Sequence, residues 1–148
     1  MIAVIQRVKH AKVIVSNKTI SEIDNGLLIL LGINKTDNQH DSKFLARKIS
    51  FFRIFSDKNK NMNLSLLDIG GSALIVSQFT LCASWQKGNR PGFSSVEKPE
   101  KAYILYIHFI EQLKNNNVPV QCGSFGSMMD VQLINEGPIT FVLDSREK

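Results

Sequence analysis

The stretch GLLILLGI, residues 26–33, is continuously apolar and is bounded by glycines. A strand with one face in water alternates apolar and polar residues, whereas an unbroken apolar run of this length is typical of a strand covered on both faces. We therefore expect residues 26–33 to form a central strand, and the rest of the chain to supply the layers that cover it.

The segments on either side of this run predict a hairpin and two helices. Residues 1–15 alternate as a strand does, and the turn SNKT that follows predicts a hairpin at the start of the chain. Asp37 or Asp41 is expected to cap a first helix that runs to about Phe52. Pro99 is expected to open a second helix, because proline is favoured at the first helical position.

Further strands are predicted in the second half of the chain. MNLSLLDI and SALIVSQFTL are interpreted as two strands of a hairpin that turns at Gly70-Gly71, and VPVQCG, SMMDVQLIN and ITFVLD as three more. This order predicts a mixed α+β (α/β) fold: a strongly curved, barrel-like layered sheet of about seven mostly antiparallel strands, with two helices packed on one face. Such a sheet has edge strands, which dimerisation would cover.

Composition limits the class of protein. A chain of 148 residues that is 43% hydrophobic predicts a single domain, residues 1–148. No run approaches the roughly 18 uncharged apolar residues that span a bilayer, and the first residues carry charges where a signal peptide needs an apolar stretch. We therefore expect a soluble, cytoplasmic protein without a membrane partner.

The cysteines, the histidines and the known enzyme motifs give no support for a metal site, a disulfide or a common hydrolase mechanism. Cys82 and Cys122 form no CxxC pair, so the sequence predicts no metal site, no cofactor and no disulfide. The formal charge of +5 is compatible with RNA, although such an excess is also common on solvated surfaces. His10, His40 and His108 stand alone and predict structural or surface roles. The motifs of nucleotide hydrolysis, dinucleotide binding, zinc proteolysis and α/β-hydrolase chemistry are missing.

Two predicted strands contain residues that are unusual in a buried strand: polar side chains in one, and a Gly-Pro pair in the other. In SALIVSQFTL the apolar run passes directly into Ser77, Gln78 and Thr80, with Phe79 between them. Either the strand ends at the surface, or its end lines a pocket and offers hydroxyl and N–H groups of the kind that stabilise an oxyanion. Gly137-Pro138 in NEGPITFVL is either a strand entrance or a cis peptide that presents two rigid carbonyls.

Taken together, SQFTL and NEGPIT resemble the motifs of the D-aminoacyl-tRNA deacylases of bacteria and eukaryotes, the D-tyrosyl-tRNA(Tyr) deacylase family. AVIQRV, GLLILLGI, KGNRPGF, PEKAY and FGSMMDV follow in the order and spacing of that family, so the resemblance covers essentially the whole chain. The family often has aspartate where Glu136 stands and alanine where Ser127 stands.

The resemblance implies hydrolysis of the ester between a D-amino acid and the 3′-terminal adenosine of tRNA, and also of glycyl-tRNA, notably glycine mischarged on alanine tRNA. It implies a homodimer in which Gly137 and Pro138 of one subunit reach the pocket of the other. Their parallel carbonyls, in a cis arrangement, would exclude an L side chain while a D-residue presents only its hydrogen. The partners expected are therefore aminoacyl-tRNA and a second copy of the chain.

The resemblance also implies individual roles. It places the ester carbonyl near the N–H groups of Phe79 and Thr80, with Ser77 and Gln78 shaping the pocket and the ribose 2′-OH assisting the reaction. It suggests that Arg7, which its strand context alone predicts to face solvent, holds the Gly-Pro carbonyls. The remaining contacts expected are those of Phe125 and Met129 with the terminal adenine, and of Lys87 and Arg90 with acceptor-stem phosphates.

Two other functions remain open at this point. A non-catalytic RNA-binding dimer would use the same basic loops and would show steep salt dependence without ester turnover. A conventional hydrolase of small esters would form a covalent acyl-enzyme at Ser77 or Thr80, but no histidine or carboxylate lies near either residue in the sequence to activate it.

Overall fold

The computed structural model describes residues 1–147, so the domain predicted for residues 1–148 extends one residue beyond the described part. Its helices are α1 (Gln39–Ser50) and α2 (Pro99–Asn115), with a short 3₁₀ helix at Phe79–Cys82. Its strands are β1 (Ile2–Val15), β2 (Lys18–Ile23), β3 (Gly26–Gly32), β4 (Phe55–Ser56), β5 (Met62–Leu64), β6 (Ser72–Ser77), β7 (Val120–Cys122) and β8 (Asp130–Asp144).

Six strands form one sheet, in the order β2-β1-β3-β6-β7, and β8 pairs with β1. β1 is antiparallel to β2, β3 and β8, whereas the pairs β3–β6 and β6–β7 are parallel. β1 is long enough to pair with β8 from Ile2 to Ile14 while it shares its other edge between β3 and β2. The predicted α+β class, with a curved, nearly closed sheet and two helices, is confirmed.

The apolar run that begins at Gly26 is a central strand, as predicted. β3 pairs with β1 on one edge and with β6 on the other. Leu27 and Ile29 pack with the buried faces of both helices, whereas Leu28 faces a second cluster that includes Val8 and Leu74. A Cβ atom at Gly26 would lie 1.9 Å from the backbone oxygen of Ser72, so only glycine fits where β3 and β6 meet.

The first helix begins differently from the prediction. Its N-cap is Asn38, whose side chain accepts a hydrogen bond from His40 N–H at 2.8 Å, while Asp41 closes the capping box from within the helix. Asp37 is not a cap, because its carboxylate binds the Met1 ammonium group and the Asn34 N–H, each at 2.6 Å. The helix ends at Ser50 rather than near Phe52, and α2 begins at Pro99 as predicted.

The hairpin predicted across Gly70-Gly71 is wrong. β5 stops at Leu64 and pairs with β4, and β6 instead runs parallel to β3. Ser65 begins a local turn, in which its N–H and hydroxyl both donate to Asp68, at 2.8 and 2.7 Å. The buried core of β6 pairs with the equally buried β3, as doubly covered parallel strands do.

The last two predicted strands, SMMDVQLIN and ITFVLD, are one strand, β8, so Gly137-Pro138 lies inside a strand and not at its entrance. Gln6 pairs with Thr140 and Val8 with Asn135, which leaves four residues of β8 opposite Arg7. We call residues 136–139 the Gly-Pro bulge. Proline is tolerated within a sheet at such an interruption, because no ladder hydrogen bond is required there.

Candidate active site

A cleft of about 640 Å³ opens at the carboxyl end of β6. Its walls come from the end of β6, the 3₁₀ helix, the segment 93–102 and the loop 125–131. Of the predicted site residues, it brings together Ser77, Gln78, Phe79, Phe125 and Met129. Thr80, Lys87, Arg90, Arg7, Gly137 and Pro138 do not line it.

The chain changes direction between β6 and the 3₁₀ helix. Gln78 donates its N–H to Leu31 O at 2.8 Å, which ties this corner to the central strand β3. The N–H groups of Phe79 and Thr80 then open the 3₁₀ helix, where no intrahelical acceptor exists for them. Two adjacent amide donors at the edge of a cleft can stabilise a developing oxyanion.

The Thr80 side chain is already engaged. Gln78 Nε2 donates to Thr80 Oγ1 at 2.5 Å, on the exposed side of the corner. Among the residues that line the cleft within the described chain, there is no histidine and Glu97 is the one carboxylate. His10 instead contacts Glu22 at 2.6 Å, and His108 lies 3.5 Å from Gln112. A Ser77 or Thr80 nucleophile therefore has no histidine beside it.

Glu97 is a cleft residue that the sequence analysis missed. Its side chain is 7% exposed and contacts Lys101 Nζ at 2.7 Å, and it accepts the Lys98 N–H at 2.8 Å. The hydrogen bond from Lys101, followed by that from Lys98, lowers the pKa of Glu97 below its usual value. The group is thus an ionised, paired carboxylate. The available signal was the four-residue spacing between Glu97, just before α2, and Lys101 in its first turn.

Aromatic rings form the rim and one wall of the cleft. Phe79 and Phe93 pack with ring centroids 5.2 Å apart, and they are 56% and 42% exposed. Phe125 packs against Tyr103 and Tyr106, at 5.2 and 5.3 Å. Tyr106 is anchored because its hydroxyl donates to Ile75 O at 3.0 Å, and burial raises its pKa. A rigid aromatic wall of this kind suits a planar base.

The Gly-Pro bulge lies outside this cleft. Gly137 and Pro138 are exposed, and the peptide bond between them is cis. The solvent-facing position that strand context suggested for Arg7 is wrong, since Arg7 is 7% exposed. Its Nη1 donates to Ile54 O at 2.7 Å, and its Nε lies 3.2 Å from Oε2 of Glu136, the residue before Gly137.

Asn135 braces the same bulge, and the sequence analysis did not single it out. Its Nδ2 donates to Arg7 O at 3.0 Å and to Ile139 O at 3.1 Å, so one amide joins both sides of the interruption. The signal available was the type of residue, because asparagine readily bonds to nearby backbone groups. Arg7 and Asn135 therefore hold the bulge from two directions.

The chain is similar to known proteins over almost its whole length. The family model described as D-Tyr-tRNA(Tyr) deacylase matches residues 4–144. The chain belongs to this family. D-aminoacyl-tRNA deacylases from Thermosipho africanus and Thermodesulfovibrio yellowstonii are 54% and 51% identical, over 99% of this chain and 99% and 100% of theirs. As a member of the family, the chain is a hydrolase that acts on the ester bond of D-aminoacyl-tRNA.

Two solved structures are similar to the deacylase fold described above. One, titled c-Myc DNA Unwinding Element Binding Protein, has a TM-score of 0.91 and 38% identity, covering 97% of this chain and 98% of the other. The second is described as a probable eukaryotic D-amino acid tRNA deacylase, with a TM-score of 0.81, 17% identity and coverage of 96% and 97%. At that identity, the second likeness supports the fold alone.

The basic residues expected to meet the tRNA substrate of this deacylase lie on one loop. Lys87 and Arg90 are both exposed, between Ser84 and Gly92.

Within residues 1–147, no group of three or more His, Cys, Asp or Glu residues is placed to hold a metal ion, and no helix is long and apolar enough to cross a membrane.

Proposed function

We propose that this deacylase selects its substrate by exclusion, with the Gly-Pro bulge of one subunit acting on an ester held in the cleft of a second. The observation that carries the proposal is the position of Gly137 and Pro138, which are exposed and lie outside their own cleft. Since the motif does not line the cleft of its own subunit, a second copy that presents its bulge to this cleft would complete the site.

The outer side of β8 supports the homodimer. Among residues 1–147, β8 is paired along one edge only, with β1, and Ile134 and Val142 are 58% and 67% exposed on either side of the bulge. An unpaired strand edge with exposed aliphatic side chains favours association, and a second copy would cover it.

Selection by backbone carbonyls accounts for a broad range of substrates. A D-residue turns its α-hydrogen towards the two oxygens, whereas an L-residue would drive its side chain into them. Glycine has no side chain to exclude, so glycyl-tRNA, including glycine mischarged on alanine tRNA, is accepted as well. No group in such a filter contacts the amino acid side chain, so D-amino acids of different kinds are hydrolysed.

For the chemical step, we assign the oxyanion to the N–H groups of Phe79 and Thr80, with Ser77 and Gln78 shaping the pocket and the neighbouring ribose 2′-OH assisting. Phe125 and Met129 contact the adenine, and Lys87 and Arg90 the phosphates of the acceptor stem. A histidine-activated serine or threonine is disfavoured, because no histidine lines the cleft within the described residues and its carboxylate, Glu97, is paired with Lys101. The reaction needs no cofactor in this scheme, and we place it in the cytoplasm, in a single domain of residues 1–148.

Two variants, one altered in the bulge and one in the cleft, test whether the bulge of one subunit acts in the cleft of the other. Gly137→Ala adds a methyl group to the bulge and leaves the cleft intact, whereas Phe79→Pro removes the proposed donor at the cleft and leaves the bulge intact. If the sites form between subunits, a refolded equal mixture regains about a quarter of wild-type activity on D-tyrosyl-tRNA, since about half of the dimers are mixed and each has one intact site. No recovery would mean that bulge and cleft act within one chain.

The substrate range is tested with D-tyrosyl-tRNA, L-tyrosyl-tRNA and glycyl-tRNA(Ala). Rapid hydrolysis of the D and glycyl esters with the L ester spared supports exclusion. Survival of all three esters while tRNA still binds would instead support the alternative of a non-catalytic RNA-binding dimer. Efficient cleavage of small esters through a covalent acyl-enzyme would support a conventional hydrolase.

A further inference from the structure

The loop from Ser84 to Gly92 carries an aromatic side chain that the proposed chemistry does not use. Two backbone hydrogen bonds close the loop, from Ser84 N–H to Gly92 O and from Gly92 N–H to Ser84 O, both at 2.8 Å. Trp85 is 74% exposed at the start of the loop. Within residues 1–147 its indole makes no ring-to-ring contact, although the rim phenylalanines nearby in the sequence pack on each other.

The loop is basic and lies at the mouth of the cleft. Its residues, SWQKGNRPG, include Lys87 and Arg90 and no acidic side chain. Gly92 is followed directly by Phe93, which lines the cleft and packs against Phe79 at 5.2 Å. An exposed indole and two exposed cations therefore lie on one loop, which continues directly into the cleft wall at Phe93.

We propose that this basic loop, residues 84–92, holds the unpaired 3′ end of the tRNA, with Trp85 stacked on a base next to the terminal adenosine. The inference rests on the proposed function, because it takes the terminal adenosine to occupy the cleft. Proteins that bind single strands combine aromatic platforms for the bases with cations for the phosphates, which is the composition of this loop.

The charge of the loop favours a nucleic acid over a protein surface. An aromatic side chain alone fits many partners, but a loop that carries an indole, two cations and no carboxylate is complementary to an anionic ligand that also has planar rings. A base-paired stem offers phosphates and no free base face, so it would use Lys87 and Arg90 and leave Trp85 without a role. The unpaired nucleotides offer both groups.

Trp85 is the one tryptophan of the chain, so it reports its own contact by fluorescence. The wild-type protein is titrated with an uncharged RNA hairpin that ends in the unpaired 3′ nucleotides of tRNA, and with the same hairpin cut to a blunt end. Stacking predicts quenching of the emission by the first RNA and little by the second, while the anisotropy of labelled RNA follows binding of each. Equal quenching by both RNAs, or binding of the first without quenching, would overturn the proposal.

Kinetics of two variants provide an independent test. Trp85→Ala should raise KM for D-tyrosyl-tRNA by roughly 5- to 150-fold, the range that loss of one base–aromatic stack implies, with kcat little changed. Trp85→Phe, which keeps a ring, should recover most of the loss. The D-tyrosyl ester of adenosine alone lacks the stacked nucleotide, so its kcat/KM should change far less. Equal losses on both substrates would point to a general structural defect and overturn the proposal.

Two further outcomes distinguish base stacking at Trp85 from a failed deacylase reaction and from a protein interface. If the wild-type protein hydrolyses neither D-ester, the proposed function fails, whereas the quenching experiment can still succeed or fail by itself. If acrylamide cannot quench Trp85 in the protein without RNA, the indole is covered by a second copy of the chain. In that case the loop belongs to a protein interface and the assignment to RNA is wrong.

Discussion

The proposed function depends on two places where a strand is interrupted, the end of β6 and the Gly-Pro bulge within β8, and the two are built differently. At the end of β6, the Gln78 N–H to Leu31 O hydrogen bond fixes the corner, and Ser77, Gln78 and Phe79 line the chain's own cleft. Within β8, the side chains of Arg7 and Asn135 hold the bulge, which lies outside that cleft. We therefore expect the first to tolerate side-chain changes and the second to depend on its supporting side chains.

The largest expected effect comes from removing a backbone donor at the first interruption. Phe79→Pro deletes one N–H at the first position of the 3₁₀ helix, where proline is tolerated, and Gln78 before it is non-helical, with φ −142° and ψ 80°, so a modest change of ψ towards about 120° accommodates the ring. The kcat for D-tyrosyl-tRNA should fall roughly 100- to 1,000-fold, the usual cost of one oxyanion donor.

Phe79→Ala is the matched control, because it removes the ring and keeps the N–H. A much smaller loss of kcat in Phe79→Ala than in Phe79→Pro is the expected result in single-turnover assays. Equal losses in the two variants would assign the effect to the ring and remove the backbone donor from the mechanism.

A direct change to the second interruption should come next in size. In Gly137→Ala the added Cβ meets Asn135 Oδ1 at 3.6 Å, an ordinary contact, so the fold accommodates it. The methyl group would crowd a substrate held against the bulge, at a cost of about 1–3 kcal/mol if the site cannot relax. The rate for D-tyrosyl-tRNA should therefore fall roughly 5- to 150-fold at an unchanged Tm; a normal rate would place the bulge away from the substrate.

Removal of a supporting side chain should have a moderate effect on both activity and stability. Asn135→Ala deletes the two hydrogen bonds to Arg7 O and Ile139 O, at a cost of about 1–3 kcal/mol of unfolding free energy. We expect a lower Tm and a reduced ratio of D to L hydrolysis. Gln6→Ala is the control, since it loses a side-chain bond to Thr140 across the same two strands without touching the bulge; the same reduction in the ratio there would contradict a specific role for Asn135.

The Thr80 side chain should matter least to catalysis. Thr80→Ala keeps the backbone N–H and loses the hydroxyl that Gln78 contacts at 2.5 Å. A rate loss below about tenfold is expected, well short of the cost of a deleted oxyanion donor. A loss as large as that of Phe79→Pro would make the Thr80 hydroxyl a participant in the chemistry.

Glu97, in the wall of the cleft, should make a small contribution to the pH dependence of the protein's stability. Because the Lys101 and Lys98 contacts lower its folded-state pKa, Glu97 contributes stability above its unfolded value near 4.5, and this contribution is lost as the pH falls through the folded pKa. Glu97→Gln should flatten the fall in Tm between neutral and acidic pH. An unchanged slope would mean that the pair with Lys101 is not maintained in solution.

Elements with a local pattern could be predicted from the sequence. The unbroken apolar run of β3 and the helical spacing that follows Pro99 each lie within one segment, and both are confirmed. The pairing of β6 could not be obtained in this way, because a parallel partner is distant in the chain and the turn at Gly70-Gly71 is equally compatible with a hairpin. The single strand β8 was divided for a similar reason, since its continuity depends on β1 and not on its own residues.

The position of Arg7 shows where alternation reaches its limit. Arg7 has the same parity along β1 as Ala3 and Ile5, which face the core shared with the helices. Both faces of β1 are rich in apolar residues, so a period of two could not indicate which face would also hold a guanidinium group. The carboxylate that pairs with Arg7 belongs to Glu136, which lies near the other end of the chain. The contacts of Asn135 and Glu97 had signals of another kind, namely residue type and the four-residue spacing to Lys101, which apolar alternation does not contain.

The amide donors at the start of the 3₁₀ helix also have a consequence for how the gene can vary. Every amino acid except proline supplies a backbone N–H group at position 79, so nearly all missense changes at this position keep the donor. A saturation library at this position should show broad mutational tolerance, limited by the packing of the ring on Phe93, with proline as the sharp exception. Sequence drift at position 79 would then reveal little about whether the activity has been kept.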